Sequence, residues 1–410
     1  MENITDMVYK DKMGVPMTIY DIVRYGHGIM FVSLQTMLMA GFFLEWRRDQ
    51  KSLRDQRSLM DRKGLFPGGA LGELPLPLVS VVVPIHNEER RMEALLRSLG
   101  VQDYPAAEFI FVDDRSEDGS SAMLAAFAEG RKNCRIITLK ENPGPNHKQW
   151  ALSKGIESAG GELLLFTDGD IEVPPGWIGA MAARMNDERV GAVIGPVFKK
   201  KGGKGFFHLY QCYDHALRYN YLAGAIGLGA AGGGFGNNLI VRREALDAVG
   251  GYGAIPPSPT EDAALISELR SGGKYRIRAA AFPDAAVFTV AEKSWPSFIS
   301  QTLRWNNGGL FSPEALTRFN YNLLMLMIST GVLALLFLPF FPGLWPLPLG
   351  VLIVMVENTI AIFGLFRKKL PPPWPAYFLT LLFAPVYFTL MTIMGYCGIK
   401  PEWKKEKLGM

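Results

Sequence analysis

Four apolar stretches constrain this chain more than any other feature, because each approaches the length that a helix needs to cross a bilayer. A transmembrane helix takes about 20 apolar residues, with about 17 as a lower limit. The stretches cover residues 28–44, 323–341, 347–366 and 376–399. They flank a region whose pattern is that of a soluble domain. We therefore predict an integral membrane protein rather than a protein with four buried core helices.

Basic residues beside these stretches indicate the side of the membrane. EWRRDQKSLRDQR follows the first stretch, FRKKL follows the third, and the tail at 400–410 is also basic. Because loops rich in lysine and arginine stay in the cytoplasm, we expect the central region to be cytoplasmic, on the inner or cell membrane. Three full crossings would leave the tail outside. One of the last stretches is therefore expected to be re-entrant or interfacial, which leaves two or three crossings in 322–399.

Strand-like and helix-like segments alternate from residue 77 to about 290. Strands are expected in PLVSVVVPI, AEFIFVDD, CRIITLKEN and GELLLFTDGDIEV. Alternation of this kind predicts an α/β domain with mostly parallel strands, and ligands bind beyond the carboxyl ends of such strands. The predicted organisation is an N-terminal segment at 1–27, a transmembrane helix at 28–44, a linker at 45–77, an α/β domain with interfacial helices at 78–310, a C-terminal membrane region at 322–399 and a basic tail at 400–410.

Charge and cysteine content exclude several classes of partner. The formal net charge is only +4, so nucleic acid is not expected as a partner. Cys134, Cys212 and Cys397 are scattered and contain no CxxC pair, which argues against a disulfide framework and against a cysteine zinc site.

Two other segments allow two interpretations each. The loop KKKGGKG at 199–205 fits a solvated turn better than a phosphate cradle. The aromatic segment FFHLYQCYDHALRYNYLAGAIGLG either lies on the membrane surface or belongs to the core.

The strongest chemical signal is FTDGDIEVPPGW, where Asp168 and Asp170 stand two apart at the end of an apolar strand. Carboxylates on such a turn bind a hard cation such as Mg²⁺ or Mn²⁺. A nucleotide diphosphate would complete the coordination shell, and the cation would neutralise charge on the leaving diphosphate. Such a pair also occurs in ordinary solvated turns.

Two further acidic pairs follow the same logic. Asp113 and Asp114 end a strand, where they either accept hydrogen bonds from a base or ribose or cap the next helix. Glu261 and Asp262 precede a helical pattern, where they belong either to a helix start or to a general base that takes the proton of an attacking hydroxyl.

The order of the motifs is more specific than any one of them. The chain contains, in sequence, VVVPIHNEE, FVDDRSEDGS, FTDGDIEVPPGW, GGGFGNNLIVRREALDAVGGY, SPTEDAALISEL and QTLRWNNGG. This set resembles glycosyltransferase family 2, which includes cellulose, chitin and hyaluronan synthases, and its late motifs are similar to those of ceramide glucosyltransferases. The resemblance covers roughly residues 78–309. It implies a GT-A fold with a Rossmann-like, mostly parallel sheet, and inverting transfer of a sugar from a nucleotide-sugar.

The resemblance also implies a role for each matching residue. Asp262 would be the catalytic base, with Glu261 beside it. Asp168 and Asp170 would bind Mg²⁺ or Mn²⁺, with Asp170 as the direct ligand. The nucleotide-sugar would be bound by Pro84, His86, Asn87, Glu88, Asp113, Asp114, Lys148, Asp168 and Arg304. The acceptor would be bound by Asn237, Asn238, Gln301 and Trp305.

Two kinds of product are compatible with these motifs. One is a membrane lipid that receives a single sugar on a hydroxyl, and the other is a polysaccharide made processively, as by cellulose or hyaluronan synthases. The QxxRW motif favours the polymer, whereas the small membrane region favours the lipid. We predict a lipid acceptor and a UDP-sugar donor. A non-catalytic membrane scaffold or transporter is the remote alternative, which the intact acidic motifs oppose.

Overall fold

The computed structural model describes residues 9–10, 16–17, 19–62, 76–200, 203–230, 233–258, 260–312, 314–371, 374–403 and 406–407. Two short strand pairs, Tyr9–Lys10 with Pro16–Met17 and Glu402–Trp403 with Glu406–Lys407, lie near the chain ends. The other strands are β1 Val79–Ile85, β2 Ala107–Asp114, β3 Cys134–Leu139, β4 Leu163–Phe166, β5 Val190–Ile194, β6 Val197–Lys199, β7 Leu239–Arg242, β8 Arg276–Ala279 and β9 Val287–Thr289. The helices are α1 Ile19–Arg62, α2 Glu93–Leu99, α3 Ser120–Ala128, α4 His147–Ser158, α5 Trp177–Ala183, α6 Gly205–Gly227, α7 Arg243–Asp247, α8 Glu261–Ser271, α9 Trp295–Leu310, α10 Ala315–Phe337, α11 Pro346–Phe366 and α12 Tyr377–Tyr396.

A seven-stranded sheet in the order β8-β5-β7-β4-β1-β2-β3 forms the centre of the domain. All neighbours are parallel except β7, which runs antiparallel to both β4 and β5. Strands β1 and β4 are buried almost throughout, as expected for parallel strands whose two faces are both covered. The predicted fold class is therefore confirmed, and the four predicted strands are β1 to β4.

Strand register brings several loops to one edge of this sheet. Ile85 of β1 pairs with Asp113 of β2, and Val82 pairs with Phe166 at the end of β4. Phe166 also pairs with Leu239, the first residue of the antiparallel β7. The loops that follow β1, β2 and β4 and the loop that precedes β7 therefore meet at the same edge.

Four helices in the described part of the chain are long and apolar enough to cross a membrane. They lie within Asp21–Asp55, Ala315–Phe337, Pro342–Phe366 and Tyr377–Tyr396, and each contains most of one predicted apolar stretch. Helix α1 continues to Arg62, so it occupies the first half of the segment where we expected a linker at 45–77. Residues 63–75 of that segment lie outside the described part of the chain.

The extension of α1 is helical because its polar side chains dock on the domain. Asp49 is buried, its Oδ1 lies 2.6 Å from the Arg184 Nε, and its Oδ2 accepts hydrogen bonds from the backbone N–H groups of Ala281 and Phe282. One turn earlier, Glu45 lies 2.7 Å from Arg278. These contacts join α1 to the sheet side of the domain.

Helix α12 has both of its ends beside the domain. Its first residue, Tyr377, packs on Tyr213 of α6 with ring centroids 6.4 Å apart. At its other end Tyr396 packs edge-on against Phe311, which directly follows α9, at 5.8 Å. A helix that starts and ends on the domain side fits the interfacial segment that the basic tail predicts.

Candidate active site

A cavity of about 800 Å³ opens at the sheet edge described above and continues between α6, α10, α11 and α12. The structure brings most of the predicted site residues into its wall. Those that line it are Pro84, His86, Glu88, Asp114, Lys148, Asp168, Asp170, Asn237, Glu261, Asp262, Gln301, Arg304 and Trp305.

Lys148 joins two of the acidic motifs. It stands at the start of α4, which begins there because the Asn146 side chain accepts a hydrogen bond from the backbone of the first turn. Its Nζ lies 2.8 Å from Asp168 Oδ1 and 2.9 Å from Glu261 Oε1. Burial alone would lower the pKa of Lys148, but the two carboxylates raise it above its ordinary value. The lysine is therefore a fixed cation between the strand-end motif and the start of α8.

Asp168 and Asp170 form a hard-oxygen pair after β4. Burial raises the pKa of Asp168, Lys148 opposes that rise, and the charge of Asp170 adds to it. Asp170 Oδ2 accepts a hydrogen bond of 2.8 Å from the Thr289 hydroxyl. Within the described residues no group of three or more His, Cys, Asp or Glu side chains could hold a metal. A pair of this kind fits Mg²⁺ or Mn²⁺, which are usually held by one or two carboxylates together with substrate phosphates.

Asp262 is held by backbone groups on both carboxylate oxygens. Oδ2 accepts from the N–H of Gly236 and Oδ1 from the N–H of Ala263, each at 2.8 Å. A Cβ on Gly236 would lie 3.0 Å from the Cβ of Asp262, so the backbone before β7 comes this close only because residue 236 is a glycine. Burial and the neighbouring Glu261 raise the pKa of Asp262, against the opposing charge of Lys148.

Asp114 and Asp113 have different surroundings. Asp114 lines the cavity, where Arg115 Nε and Asn142 Nδ2 donate to its carboxylate at 2.8 and 2.7 Å. Asp113 is buried, and its carboxylate accepts from the Ser116 N–H and the Ser121 hydroxyl. We expected both aspartates to contact the nucleotide. The structure turns Asp113 away, because consecutive residues of a strand point to opposite faces.

Two predicted contacts are also absent from the cavity wall. We expected Asn238 to contact sugar hydroxyls, but it is buried and donates to the carbonyls of Pro196 and Ala285 while accepting from Trp177 Nε1. It is a packing residue at the start of β7, and its neighbour Asn237 takes the cavity position. Asn87, expected at the nucleotide, accepts from the Glu117 N–H at 2.8 Å and so joins two loops.

The QTLRW segment presents one face of α9 to the cavity. Gln301, Arg304 and Trp305 are spaced i, i+3 and i+4, which places them on the same side of a helix. Gln301 Nε2 donates to Glu292 Oε1 at 3.2 Å. Trp305 meets the ring of His215 edge-on, with centroids 5.2 Å apart.

Several cavity residues lie outside the predicted motifs, among them Lys199, His215 and Arg218. Lys199 was expected in a solvated turn but is 1% exposed in β6, where its Nζ donates to the Val290 carbonyl at 3.2 Å. Burial lowers its pKa. His215 and Arg218 are spaced i, i+3 on α6, a helix that is buried along most of its length. The i, i+3 spacing of polar residues in an aromatic helix was the available signal.

With this geometry established, comparison with known proteins identifies the domain. Residues 80–250 match the model of a protein family described as Glycosyl transferase family 2. The chain carries a family 2 glycosyltransferase domain. The match contains the strand-end carboxylates, Lys148 and the glycine loop, whereas Glu261, Asp262 and the QTLRW segment lie beyond its end. The residues that match the family therefore form one part of the cavity wall.

Relatives of this family 2 domain include lipid-related enzymes. An undecaprenyl-phosphate 4-deoxy-4-formamido-L-arabinose transferase of Pseudomonas paraeruginosa is 40% identical over 110 residues, 25% of this chain and 30% of that protein. A beta-monoglucosyldiacylglycerol synthase of Trichormus variabilis is 26% identical over 273 residues, 63% of this chain and 56% of that protein. The chain thus matches between 30% and 56% of the length of these relatives.

A solved structure shares the fold. A mannosyltransferase of Pyrobaculum calidifontis, solved in complex with GDP-Man and Mn²⁺, superposes with a TM-score of 0.52 at 18% sequence identity. The alignment covers 92% of this chain and 100% of the other. The expected GT-A fold is therefore confirmed for the family 2 domain.

Proposed function

We propose that this protein is a membrane-bound glycosyltransferase that moves a sugar from a nucleotide-sugar, with UDP as the nucleotide, to a hydroxyl of a membrane lipid, with inversion at the anomeric carbon. The observation that carries this proposal is the continuity of the cavity. Its polar end holds the carboxylates and cations of the sheet edge, and its other end is walled by helices that are apolar enough to cross a bilayer. One cavity thus provides for a charged donor and for an apolar acceptor.

The chemistry assigned to the polar end follows from the residues there. The hydroxyl oxygen of the acceptor attacks the anomeric carbon, the bond from that carbon to the diphosphate breaks, and the hydroxyl proton passes to Asp262. Arg304 would bind the departing diphosphate through its planar fork of N–H groups. Asp168 and Asp170 would hold Mg²⁺ or Mn²⁺, which would neutralise negative charge on the diphosphate. Lys148 keeps Asp168 and Glu261 in place.

The apolar end supports a lipid acceptor over a growing polysaccharide. Ile328 of α10 and Met355 of α11 are each 3% exposed and line the cavity, together with Phe388 of α12. Methionine and branched aliphatic side chains fit the flexible chain of a lipid, whereas a hydrated glycan needs hydrogen-bonding walls. The names of the two relatives, an undecaprenyl-phosphate sugar transferase and a glucosyldiacylglycerol synthase, support the same acceptor class.

Membranes that contain the protein, incubated with a panel of radiolabelled nucleotide-sugars, test this function. We expect label from one nucleotide-sugar to appear in a solvent-extractable lipid, to disappear when divalent cations are chelated, and to return when Mg²⁺ or Mn²⁺ is added. Membranes that carry the Asp262→Asn variant are the matched control. Label in a water-soluble or insoluble polymer would instead establish the processive synthase, and full transfer in excess chelator would refute the metal assignment.

A further inference from the structure

We propose that Arg218 forms a subsite for an anionic group, a phosphate or a carboxylate, that the acceptor lipid carries near its reactive hydroxyl. The inference rests on the proposed function and specifies its acceptor further. It assigns a substrate class, hydroxylated anionic lipids, to a residue outside the motifs of the family 2 domain.

Arg218 is built into the cavity wall. Its side chain is 14% exposed, and its Nε lies 2.8 Å from Asp214 Oδ2, one turn earlier on α6. The guanidinium lies 5.0 Å from the ring centroid of Phe388 and 5.5 Å from that of Trp305. An arginine fixed by an ion pair and two aromatic rings has lost most of its rotamer freedom before a ligand arrives, so little further entropy is lost on binding.

One hydrogen-bonding position of this arginine is left open. A terminal nitrogen, Nη2, is buried and makes no hydrogen bond of ordinary geometry in the described part of the chain, and the same holds for Asp214 Oδ1. The Tyr321 hydroxyl also interacts with the guanidinium. A buried donor without an acceptor is unfavourable, and guanidinium nitrogens match the oxygens of phosphates and carboxylates. An oxygen of a ligand in the cavity would satisfy this nitrogen.

The location of Arg218 fixes which part of the acceptor it meets. Trp305 belongs to the QTLRW face at the polar end, whereas Phe388 belongs to α12 beside the apolar end. The guanidinium touches both rings and therefore stands at the junction. A lipid whose hydroxyl reaches Asp262 and whose chain lies among Ile328 and Met355 would place its remaining head-group atoms at this junction.

The local field also favours an anion, although Asp214 neutralises part of the charge. His215, the next residue of the wall, is buried, and its pKa is lowered well below the ordinary value by burial and by the charges of Lys199 and Arg218. Lys199 and Arg218 thus both add positive potential at that point of the wall, and the carboxylates of Asp170, Asp214 and Glu292 oppose it. A neutral lipid such as diacylglycerol offers no group that would use this field.

Matched pairs of acceptors test the subsite in purified full-length protein. The pairs are a 3-hydroxy fatty acid with its methyl ester, and phosphatidylglycerol with its methyl phosphotriester, each presented in phosphatidylcholine vesicles. The members of a pair share an acceptor hydroxyl and an apolar chain and differ in negative charge. We expect kcat/KM to be higher for the charged member of at least one pair. A preference in the first pair would identify the anionic group as a carboxylate, and a preference in the second pair would identify it as a phosphate.

Two substitutions separate a binding role from a structural one. Arg218→Gln should reduce kcat/KM for the preferred anionic acceptor about 10–100-fold, the usual range for a hydrogen bond to a charged group, and should abolish the charge preference. Asp214→Asn should keep that preference, because it removes the internal partner and leaves the guanidinium. A purely structural ion pair would make both variants lose stability alike without changing the preference, and that result would overturn the subsite.

The wild-type comparison stands even if Arg218→Gln does not fold, and Arg218→Lys then replaces it as the variant that keeps the charge but loses the fork. Equal use of charged and neutral members by the wild type would overturn this inference alone. Transfer to no lipid of either kind, with sugar found in a polymer, would overturn the proposed function and the subsite together.

Discussion

Asp262 has the most constrained carboxylate among the candidate catalytic groups. Backbone N–H groups hold both of its oxygens, and Glu261 and burial raise its pKa. A base with a raised pKa loses its proton-accepting form at a higher pH than an exposed aspartate does. The rate of sugar transfer should therefore decline as the pH falls through that raised pKa. At pH values above that pKa the rate should stay constant.

Replacing Asp262 by asparagine tests its role directly. The amide keeps the shape of the side chain but cannot take a proton, and general-base catalysis contributes about 10²–10⁴-fold. We expect sugar transfer to fall by that factor while the affinity for the nucleotide diphosphate stays near that of the wild type. Asp247→Asn, at an exposed position on α7, is the matched control. Near-normal transfer by Asp262→Asn would show that another group takes the proton.

Gly236 matters through the position of Asp262. Its added Cβ would lie 3.3 Å from Asp262 Oδ2, so Gly236→Ala should displace the carboxylate by a few tenths of an ångström or more. Because misplacement of a catalytic group by about 1 Å costs up to about 10²-fold, we expect slower transfer with an unchanged unfolding temperature. Gly253→Ala, where a Cβ meets nothing within 4 Å, should leave both quantities unchanged. Equal rates for the two variants would contradict this account.

Residues inside motifs were easier to predict than the directions of their side chains. The spacing of Asp168 and Asp170 and the strand ends before them predicted a shared edge, because parallel strands end together. The side chains of Asp113 and Asn238 point away from the cavity. Which face of the sheet a side chain occupies depends on the strand register, which the motifs do not give. The role of Lys199 could not be predicted, because it depends on burial and on neighbours distant in sequence. For Arg218 the sequence offers only its i, i+3 spacing with His215.

At the scale of elements, α1 is both a candidate membrane helix and part of the domain. Gly41 approaches α6 so closely that a Cβ there would lie 2.2 Å from the Gly224 carbonyl oxygen. Small residues at helix crossings allow such approach in membrane proteins. Further along α1, Glu45 and Asp49 dock on the domain. The helix thereby joins the candidate membrane-spanning helices to the domain.

Gly41→Val should therefore prevent α1 from packing on α6. Overpacking alone costs about 1–3 kcal/mol, and here the obstacle is backbone, which cannot rotate away. We expect little monodisperse protein after detergent extraction, measured by size-exclusion chromatography. Gly26→Val lies on the same helix, where a Cβ meets nothing within 4 Å, and should behave like the wild type. Similar yields of the two variants would show that the α1–α6 crossing is not as close as described.

The sequence predicts the strands and helices that have a strong local pattern of apolar residues. It does not predict the elements whose position depends on contacts with distant parts of the chain. Strands β1 to β4 contain mostly apolar runs, and all four apolar stretches lie in helices. The antiparallel β7 has only the short run LIV, so its place between β4 and β5 was not visible. The polar composition of the α1 extension predicts a linker, because it does not reveal the buried contacts of Glu45 and Asp49.

For the whole molecule, we propose a membrane topology from the placement of α12. With both ends beside the domain, α12 returns the C-terminal tail to the domain side, and α1, α10 and α11 are the crossings that we propose. This arrangement reconciles the basic tail with a cytoplasmic domain, which three crossings after the domain would not allow. The exposed face of α12 includes Phe378 and Leu382 and would lie in the lipid.

The native Cys397 reports on this topology, because it is exposed just beyond α12. An impermeant thiol reagent applied to intact cells should label neither Cys397 nor a cysteine introduced by Arg54→Cys. It should label Phe340→Cys, which lies in the exposed turn between α10 and α11. Permeabilised cells should give label at all three positions. Labelling of Cys397 in intact cells would mean that α12 crosses the membrane.

The measurement that tests the central claim most directly is the rate of sugar transfer to lipid after the apolar end of the cavity is filled. Ile328→Trp places a large ring at a lining position that is 3% exposed, whereas Leu326→Trp changes the same helix at a position that is 59% exposed. If one cavity serves donor and lipid, Ile328→Trp should lose most transfer, keep its affinity for the nucleotide diphosphate and remain folded, and Leu326→Trp should transfer at the wild-type rate. Normal transfer to lipid by folded Ile328→Trp protein would contradict the account.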